Sequence, residues 1–163
     1  MEKLRDATLL FLIKSSEGKI TDICLAMKKI GFGIGRWNGT GGKVEQGESI
    51  ESAVIREAME ELGITAADPR KIAELSFHFP HNPAWDQKVH VYFSEDWEGE
   101  PVETEEMRPK WFNVSEIPFK EMWPDDIFWV PKVISGKLVQ GMFRFGEGDV
   151  VLEKEVNVVS GFA

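Results

Sequence analysis

A stretch dense in glycine that leads into an amphipathic helix constrains this chain more than any other feature. Six glycines fall within residues 31–42, which are too many for a helix or a strand to persist. The helix predicted behind them covers 49–62, with Ser49 as its N-cap and Gly63 just past its last apolar residue. The chain must therefore fold around a backbone-rich loop and the helix that follows it.

Short runs of branched and aromatic residues predict a mixed β-sheet. Strands at 8–14 and 21–27 flank a turn at 15–18, and further strands are predicted at 73–79, 88–93 and 110–114, with a closing hairpin at 139–145 and 150–156. A second helix is predicted from Pro124 towards Ser135, with Pro131 as a kink or in the first turn. We expect one α+β domain over residues 1–163.

Composition restricts the partners of this domain. The chain has 163 residues and a formal net charge of -9, which disfavours a nucleic-acid polymer or an anionic membrane as partner and predicts a soluble monomer. A phosphate-rich ligand would need a metal ion to offset this charge. Cys24 is the single cysteine, and the N-terminal segment has neither a cleavage pattern nor a long apolar run, so we expect a cytoplasmic protein.

Three glutamates of the predicted helix lie at spacings that place them on one face. Glu57, Glu60 and Glu61 follow the pattern i, i+3, i+4, and a solvated acidic face is one interpretation. A bound divalent cation is the other, because it would convert repulsion between the carboxylates into ligation. The adjoining arc is apolar and is predicted to pack on the sheet; its members are Val54, Ile55, Ala58, Met59 and Leu62.

The spacing of residues 42–64 resembles the Nudix box, Gly-x5-Glu-x7-Arg-Glu-U-x-Glu-Glu-x-Gly-U, where U is a bulky apolar residue. The one departure is Ala58, where the family usually has a larger residue, and we expect only a packing difference there. The matching residues are Gly42, Glu48, Arg56, Glu57, Glu60, Glu61, Gly63 and Ile64.

The resemblance implies a Nudix fold, an α/β/α sandwich, and metal-dependent hydrolysis of a nucleoside diphosphate linked to another moiety. It implies Mg²⁺, with Mn²⁺ as a substitute, held by helix glutamates and a backbone carbonyl of the preceding loop. Glu57 and Glu61 are the strongest ligand candidates, and Glu60 or Glu61 would help to deprotonate the attacking water. Arg56 would orient Glu48 or Glu57, or form an ordinary ion pair with Glu60. The candidate catalytic residues are Glu61, Glu57, Glu60 and Arg56, and the candidate metal ligands are Gly41, Gly42, Glu57, Glu60, Glu61 and Glu106.

Segments outside the box are similar to the Nudix subfamily of the MutT homologue 1 type, which hydrolyses oxidised purine nucleoside triphosphates. These segments are 28–44, 106–112 and 117–126. The resemblance implies a purine-binding pocket, for which Trp123 supplies a stacking plane, Asn38 a donor and an acceptor, and Asp125 with Asp126 a pair able to share one proton. The candidate substrate-binding residues are Asn38, Asp125, Asp126, Trp123, Phe32, Phe77, Thr8 and Lys28. An Asp after Pro is also an ordinary helix cap, and Trp123 or Phe77 would equally suit a core.

The expected activity is hydrolysis of oxidised purine nucleoside triphosphates, of the 8-oxo-dGTP or 2-hydroxy-dATP type, to monophosphate and pyrophosphate. One alternative is a Nudix hydrolase of another diphosphate, such as a sugar nucleotide or a methylated purine nucleotide. A non-catalytic nucleotide-binding module is the other, although such a module should have lost one of the glutamates. The polar segment 80–88 is longer than in the animal enzymes of this type and leaves the selectivity of the pocket open.

Overall fold

The elements of the fold follow the predicted pattern closely. The computed structural model describes residues 4–162; residues 1–3 and 163, which the predicted domain includes, lie outside the described residues. The elements are β1 (Arg5–Ser16), β2 (Lys19–Lys28), β3 (Trp37–Asn38), α1 (Ile50–Leu62), β4 (Thr65–Ala67), β5 (Arg70–His78), β6 (Gln87–Ser94), β7 (Asp96–Glu98), β8 (Met107–Asn113), α2 (Asp126–Ile134), β9 (Leu138–Gly146) and β10 (Val150–Val159).

Most strands belong to one mixed sheet in the order β10-β9-β5-β6-β1-β2-β3, with β8 also paired to β2. Strands β1 and β6 run parallel, as do β5 and β9, whereas the other pairs in the sheet are antiparallel. Residues 5–12 of β1 pair with β6, and its last four residues, 13–16, pair with β2. The glycine-rich loop and the adjoining Lys43 pair with the N-terminal part of β1, at Leu10 and Ala7 respectively.

Each face of the sheet is covered by one helix, which confirms the predicted α/β/α sandwich. Successive side chains of β1 point to opposite faces, so Phe11 and Ile13 join the core beneath α2, while Leu10 and Leu12 join the core beneath α1. Helix α2 contributes Trp129, Val130 and Val133 to the first of these cores. Helix α1 contributes Val54, Ala58 and Leu62 to the other.

Helix α1 has the predicted caps. The Ser49 hydroxyl accepts the N–H of Ser52, and Gly63 ends the helix in the left-handed region at φ 71°. The prediction that Ile55 and Met59 face the core is wrong, because Ile55 is 37 % exposed and Met59 is 48 % exposed. The sheet covers a narrower arc of the helix than the apolar residues occupy. Strand β3 and the small sheet of β4 and β7 were not predicted from the sequence.

Two glycines allow the glycine-rich loop to lie against β1. The Thr8 N–H donates to the Gly42 carbonyl at 2.8 Å, and Leu10 exchanges hydrogen bonds with Thr40. A Cβ atom on Gly41 would lie 1.8 Å from the Thr8 carbonyl oxygen, and one on Gly39 would lie 2.5 Å from that of Leu10. The absence of side chains here lets the loop pair with the strand.

Cys24 lies in the core beneath α1 and is 4 % exposed, as its apolar neighbours predict. Burial raises the pKa of its thiol to about 12. Within residues 4–162, no helix is both long enough and apolar enough to cross a bilayer.

Candidate active site

A pocket of about 400 Å³ is lined by residues from both helices, the glycine-rich loop and the sheet. Every candidate site residue named from the sequence lines it except Arg56 and Glu60. Residues about 100 positions apart in the chain therefore meet at one cavity, with carboxylates from α1 at one end and the carboxyl groups at the start of α2 at the other.

At the α1 end, Glu61 is buried to 1 % exposure and its charge is partly satisfied. The Gly41 N–H donates to Glu61 Oε1 at 2.7 Å, and Lys28 Nζ lies 4.0 Å from Oε2. Burial raises the pKa of Glu61 to about 7 against the opposing effects of Gly41 and Lys28. Glu57 and Glu106 raise it further through like-charge repulsion. The carboxyl group therefore changes protonation near neutral pH.

Arg56 lies behind these carboxylates and holds them in place. Its Nε and Nη2 atoms donate to both oxygens of Glu48, at 2.8 and 3.0 Å, and its Nη1 donates to Glu57 Oε1 at 2.9 Å. The same Nη1 reaches Glu60 at 3.3 Å. Both interpretations of Arg56 from the sequence therefore hold together. Burial raises the pKa of Glu57 although its bond to Arg56 acts in the opposite direction.

Glu60 does not enter the pocket. Its side chain is 51 % exposed and contacts Arg56 on the outer side of the helix. Glu60 and Glu61 are separated by about 100° around the helix axis, so the arc of three glutamates is wider than the side of α1 that faces the cavity. The structure thus divides the predicted cluster into two inner residues, Glu57 and Glu61, and one outer residue, Glu60.

The α1 end has the chemistry of a divalent-metal site. Glu57, Glu61 and Glu106 all line the cavity and supply hard oxygen donors. A Cβ atom on Gly42 would lie 2.6 Å from Glu57 Oε1, so a glycine there keeps space for that carboxylate. Within residues 4–162, no three acidic, His or Cys side chains are already gathered as a metal-ligand group. Glu57 is turned to Arg56 and Glu61 to Gly41, and a cation would have to compete for them. Of the two predicted carbonyl ligands, that of Gly42 accepts the Thr8 N–H, which leaves Gly41 as the better candidate.

At the opposite end, Asp125 and Asp126 are buried together, with exposures of 2 % and 3 %. The Trp129 indole N–H donates to Asp125 Oδ2 at 2.8 Å, and Asp126 Oδ2 has no hydrogen-bond partner within the described part of the chain. Burial raises the pKa of Asp125 to about 6, and burial with repulsion from Asp125 raises that of Asp126 well above its ordinary value. Asp125 makes no side-chain cap hydrogen bond to α2, so the helix-cap interpretation is wrong.

Aromatic side chains form the walls of the same cavity. Phe77 and Phe79 line the pocket and stack on Phe145, at centroid distances of 6.1 and 5.3 Å. Phe77 therefore serves the core and the cavity at once. Trp123 and Phe32 form another wall, with centroids 5.0 Å apart and ring planes at 35°. An apolar cavity with a few polar groups at fixed positions is the usual design of a ligand pocket.

Asn38, Thr8 and Lys28 supply the remaining predicted polar groups. The Asn38 side-chain oxygen accepts the Gly39 N–H at 2.9 Å, which leaves its amide NH2 as a donor. The Thr8 hydroxyl is directed to the Gly42 carbonyl at 3.5 Å, so it stabilises the loop. The sequence reasoning missed Lys43 and Gln87, which also line the pocket; the position of Lys43 directly after the paired glycines was the available signal.

The 80–88 segment supports the aromatic wall from outside. A 3₁₀ turn at Pro83–Trp85 presents Trp85 to Phe32 and Phe79, at centroid distances of 5.2 and 5.6 Å. Asp86 fixes the end of the segment by accepting the Phe79 N–H at 2.7 Å. Trp85 itself does not line the cavity, so its influence on the pocket passes through its neighbours.

Comparison with known proteins agrees with this geometry. The NUDIX domain model matches residues 3–133, and the chain belongs to the Nudix family. The family consists of hydrolases that generally use a divalent metal. The chain is 44 % identical over 137 residues to the oxidized purine nucleoside triphosphate hydrolase of Danio rerio, covering 84 % of this chain and 87 % of that protein. It is 42 % identical over 140 residues to the Mus musculus protein of the same name, covering 86 % and 89 %.

A solved structure supports the fold independently. The crystal structure of a MutT protein from Bacillus halodurans matches with a TM-score of 0.80 at 24 % identity, and the match covers 94 % of this chain and 98 % of that chain. The arrangement of helices and sheet is therefore shared although the sequences have diverged.

Proposed function

We propose that this protein hydrolyses oxidised purine nucleoside triphosphates, of the 8-oxo-dGTP or 2-hydroxy-dATP type, to the monophosphate and pyrophosphate with Mg²⁺. The observation that carries the proposal is one pocket with two unlike acidic ends. Glu57, Glu61 and Glu106 lie at one end, and the buried pair Asp125 and Asp126 lies at the other. The names of the Danio rerio and Mus musculus relatives support the same substrate class.

The α1 end suits the triphosphate. Glu57, Glu61, Glu106 and the Gly41 carbonyl would hold Mg²⁺, with Mn²⁺ as a substitute. When bound, the metal would neutralise phosphate charge and lower the pKa of a bound water. Glu60 or Glu61 would accept a proton from the attacking water; of the two, Glu61 lines the cavity. Lys28 lines the same end and supplies a positive charge for a phosphate oxygen, while Arg56 keeps Glu57 oriented.

The α2 end suits a purine base. Asp126 Oδ2 is buried without a partner inside the described chain, and an unsatisfied buried group costs about 1–3 kcal/mol. A base edge that hydrogen-bonds this oxygen would remove that cost. Two carboxyl groups with raised pKa values can share one proton, so the pair can donate to one purine edge and accept from another. Asn38 adds an N–H donor within the same cavity.

The proposal includes a monomer that acts on free nucleotides in the cytoplasm. The net charge of -9 favours a chain that stays separate in solution. The single free cysteine suits a reducing compartment.

A metal-dependent assay of pyrophosphate release over a nucleotide panel tests the proposal. The panel contains 8-oxo-dGTP, 2-hydroxy-dATP, dGTP, dATP, dCTP, a methylated purine triphosphate and a sugar nucleotide. We expect the highest kcat/KM for the oxidised purines and none without divalent metal. A preference for the sugar nucleotide or for dCTP would contradict the proposal, and so would turnover that persists in a chelator.

A further inference from the structure

Arg36 occupies an unusual position just outside the pocket. It ends the segment 31–36 of the glycine-rich loop, and its guanidinium carbon lies 4.1 Å from the centre of the Trp123 ring. Trp123 lines the cavity, whereas Arg36 does not. The cation therefore covers the tryptophan ring from outside the base-binding end, in the geometry of a cation–π contact.

A second contact fixes the Arg36 side chain. Its Nη1 lies 2.8 Å from Asp149 Oδ2, in the turn between β9 and β10. Asp149 has φ 60° and follows Gly148 at φ 75°, in the left-handed region where Asp is among the few tolerated side chains. The turn thus adopts a restricted conformation that presents a carboxylate to an arginine 113 positions earlier in the chain.

The remaining neighbours of Trp123 leave Arg36 a distinct role. Phe32 contacts the ring with a 35° tilt, and Phe145 meets it at 71° with a centroid distance of 5.9 Å. Gly33 lies so close that a Cβ atom there would be 3.3 Å from the indole nitrogen. These contacts are apolar or backbone in character, so Arg36 supplies a charged contact that links the tryptophan to the β9–β10 turn.

Arg36 also acts on the acid pair at a distance. Its positive charge lowers the pKa of both Asp125 and Asp126, against the larger effect of their burial. Asp125 and Asp126 thus interact with one another, with the Trp129 indole and with Arg36. One side chain thus influences both a wall of the pocket and the protonation of its polar end.

We propose that Arg36, anchored by Asp149, is a positioning residue for the purine base, fixing Trp123 as a wall of the pocket and supplying positive charge beside Asp125 and Asp126. This inference rests on the proposed function, because the base-binding end has this role only if a purine enters it. On this inference, Arg36 and Asp149 affect the affinity for the base although neither residue lines the cavity.

The test compares R36M, R36K and D149N with the wild-type protein in two assays. The first measures kcat and KM for 8-oxo-dGTP with Mg²⁺ from pH 5 to pH 9, and the second measures binding of 8-oxo-dGMP without metal by calorimetry. We expect R36M to raise KM and the dissociation constant roughly three- to tenfold, with kcat within about twofold, since cation–π contacts have modest strength. The pH at which KM changes should move upward in R36M, because the acid pair loses its nearby cation.

Two comparisons separate positioning from general damage. R36K should recover part of the loss, and D149N should cause a smaller change that adds little in the double variant, because both residues act through one contact. The matched control is R144M, which removes an arginine paired with Glu153 on the same hairpin but away from the pocket lining. R144M should leave both assays unchanged.

Several outcomes would overturn the inference. These are an unchanged KM and dissociation constant in R36M, an equal change in R144M, an unmoved pH profile, or fully additive effects of R36M and D149N. Thermal unfolding is measured for each variant, and if R36M is unfolded, R36K and D149N carry the same comparison. If the wild-type protein releases no pyrophosphate while R36M still weakens 8-oxo-dGMP binding, the proposed reaction fails and the positioning role stands.

Discussion

The two ends of the pocket carry acidic residues in opposite circumstances. At the α1 end, Glu57 and Glu61 receive hydrogen bonds from Arg56 and the Gly41 N–H, and Lys28 is 4.0 Å away. At the α2 end, Asp125 receives one indole hydrogen bond, and Asp126 Oδ2 receives none from residues 4–162. Burial raises the pKa values at both ends, but the carboxylates of the first end each have a hydrogen-bond donor, whereas the two adjacent carboxyl groups of the second end are placed to share a proton.

This difference teaches how one cavity can bind both parts of a nucleotide. The carboxylates at the α1 end supply oxygen ligands for a divalent cation, which in turn would bind a polyphosphate. Carboxyl groups that hold a proton present a donor to a base without repelling the phosphates. Burial is similar at Glu61 and Asp126, so their neighbours rather than their depth separate the two roles.

Glu61→Gln tests the α1 end of the pocket and should have the largest effect on activity. The amide keeps the shape of the side chain but removes a metal ligand and a proton acceptor, so we expect kcat to fall about 10²- to 10⁴-fold. Steady-state kinetics with 8-oxo-dGTP measure the loss, and circular dichroism checks the fold. Activity near the wild-type level would remove Glu61 from the proposed metal site.

Asp126→Asn tests the α2 end of the pocket and should change substrate binding more than turnover. The asparagine cannot share a proton with Asp125, so we expect KM for 8-oxo-dGTP to rise about 10- to 100-fold with a smaller change in kcat. The same kinetics with dCTP supply the reference substrate. An equal loss on both substrates would show that Asp126 does not contact the base.

The same variant should gain stability at alkaline pH. An ordinary Asp pKa is 3.8, whereas that of Asp125 is about 6 and that of Asp126 is higher in the folded protein. The folded state therefore retains protons that the unfolded chain has released, and stability falls as pH rises from about 4 through the folded pKa values. We expect Asp126→Asn to increase the free energy of unfolding at pH 8 by at least about 1 kcal/mol, and by less at pH 4. Urea denaturation at both values measures this, and a variant that is less stable at pH 8 would contradict the shared-proton account.

Glu60→Gln should have the smallest effect and serves as the counterpart of Glu61→Gln on the same helix. Glu60 is exposed, and among the described residues its hydrogen bonds and ion pair are with Arg56 alone, so we expect kcat to fall less than tenfold. The lost i, i+4 pair should cost about 0.3–0.5 kcal/mol of stability. A kcat loss as large as that of Glu61→Gln would mean that Glu60 turns inward when metal binds.

Local patterns in the sequence predicted those structural features that depend only on residues close together in the chain. The cap at Ser49, the end of α1 at Gly63 and the closing hairpin were all confirmed, because turn chemistry and periodicity are local properties. The resemblance to the Nudix box indicated the α1 end of the pocket, since Glu57 and Glu61 project from one short helix.

What the sequence could not supply depends on how the elements pack. The exposure of Ile55 and Met59 depends on how much of α1 the sheet covers, and the outward position of Glu60 follows from the same rotation. The contact of Arg36 with Asp149 joins two loops distant in the chain, which no periodicity encodes. Strands as short as β3 leave no pattern long enough to detect.

The burial of Cys24 has a consequence for a protein proposed to act on oxidised nucleotides. Peroxides react with thiolates, and a thiol with a pKa of about 12 that is almost completely enclosed supplies very little thiolate at neutral pH. Met59, by contrast, is 48 % exposed. Burial therefore protects this one thiol from the oxidising conditions that create the proposed substrates.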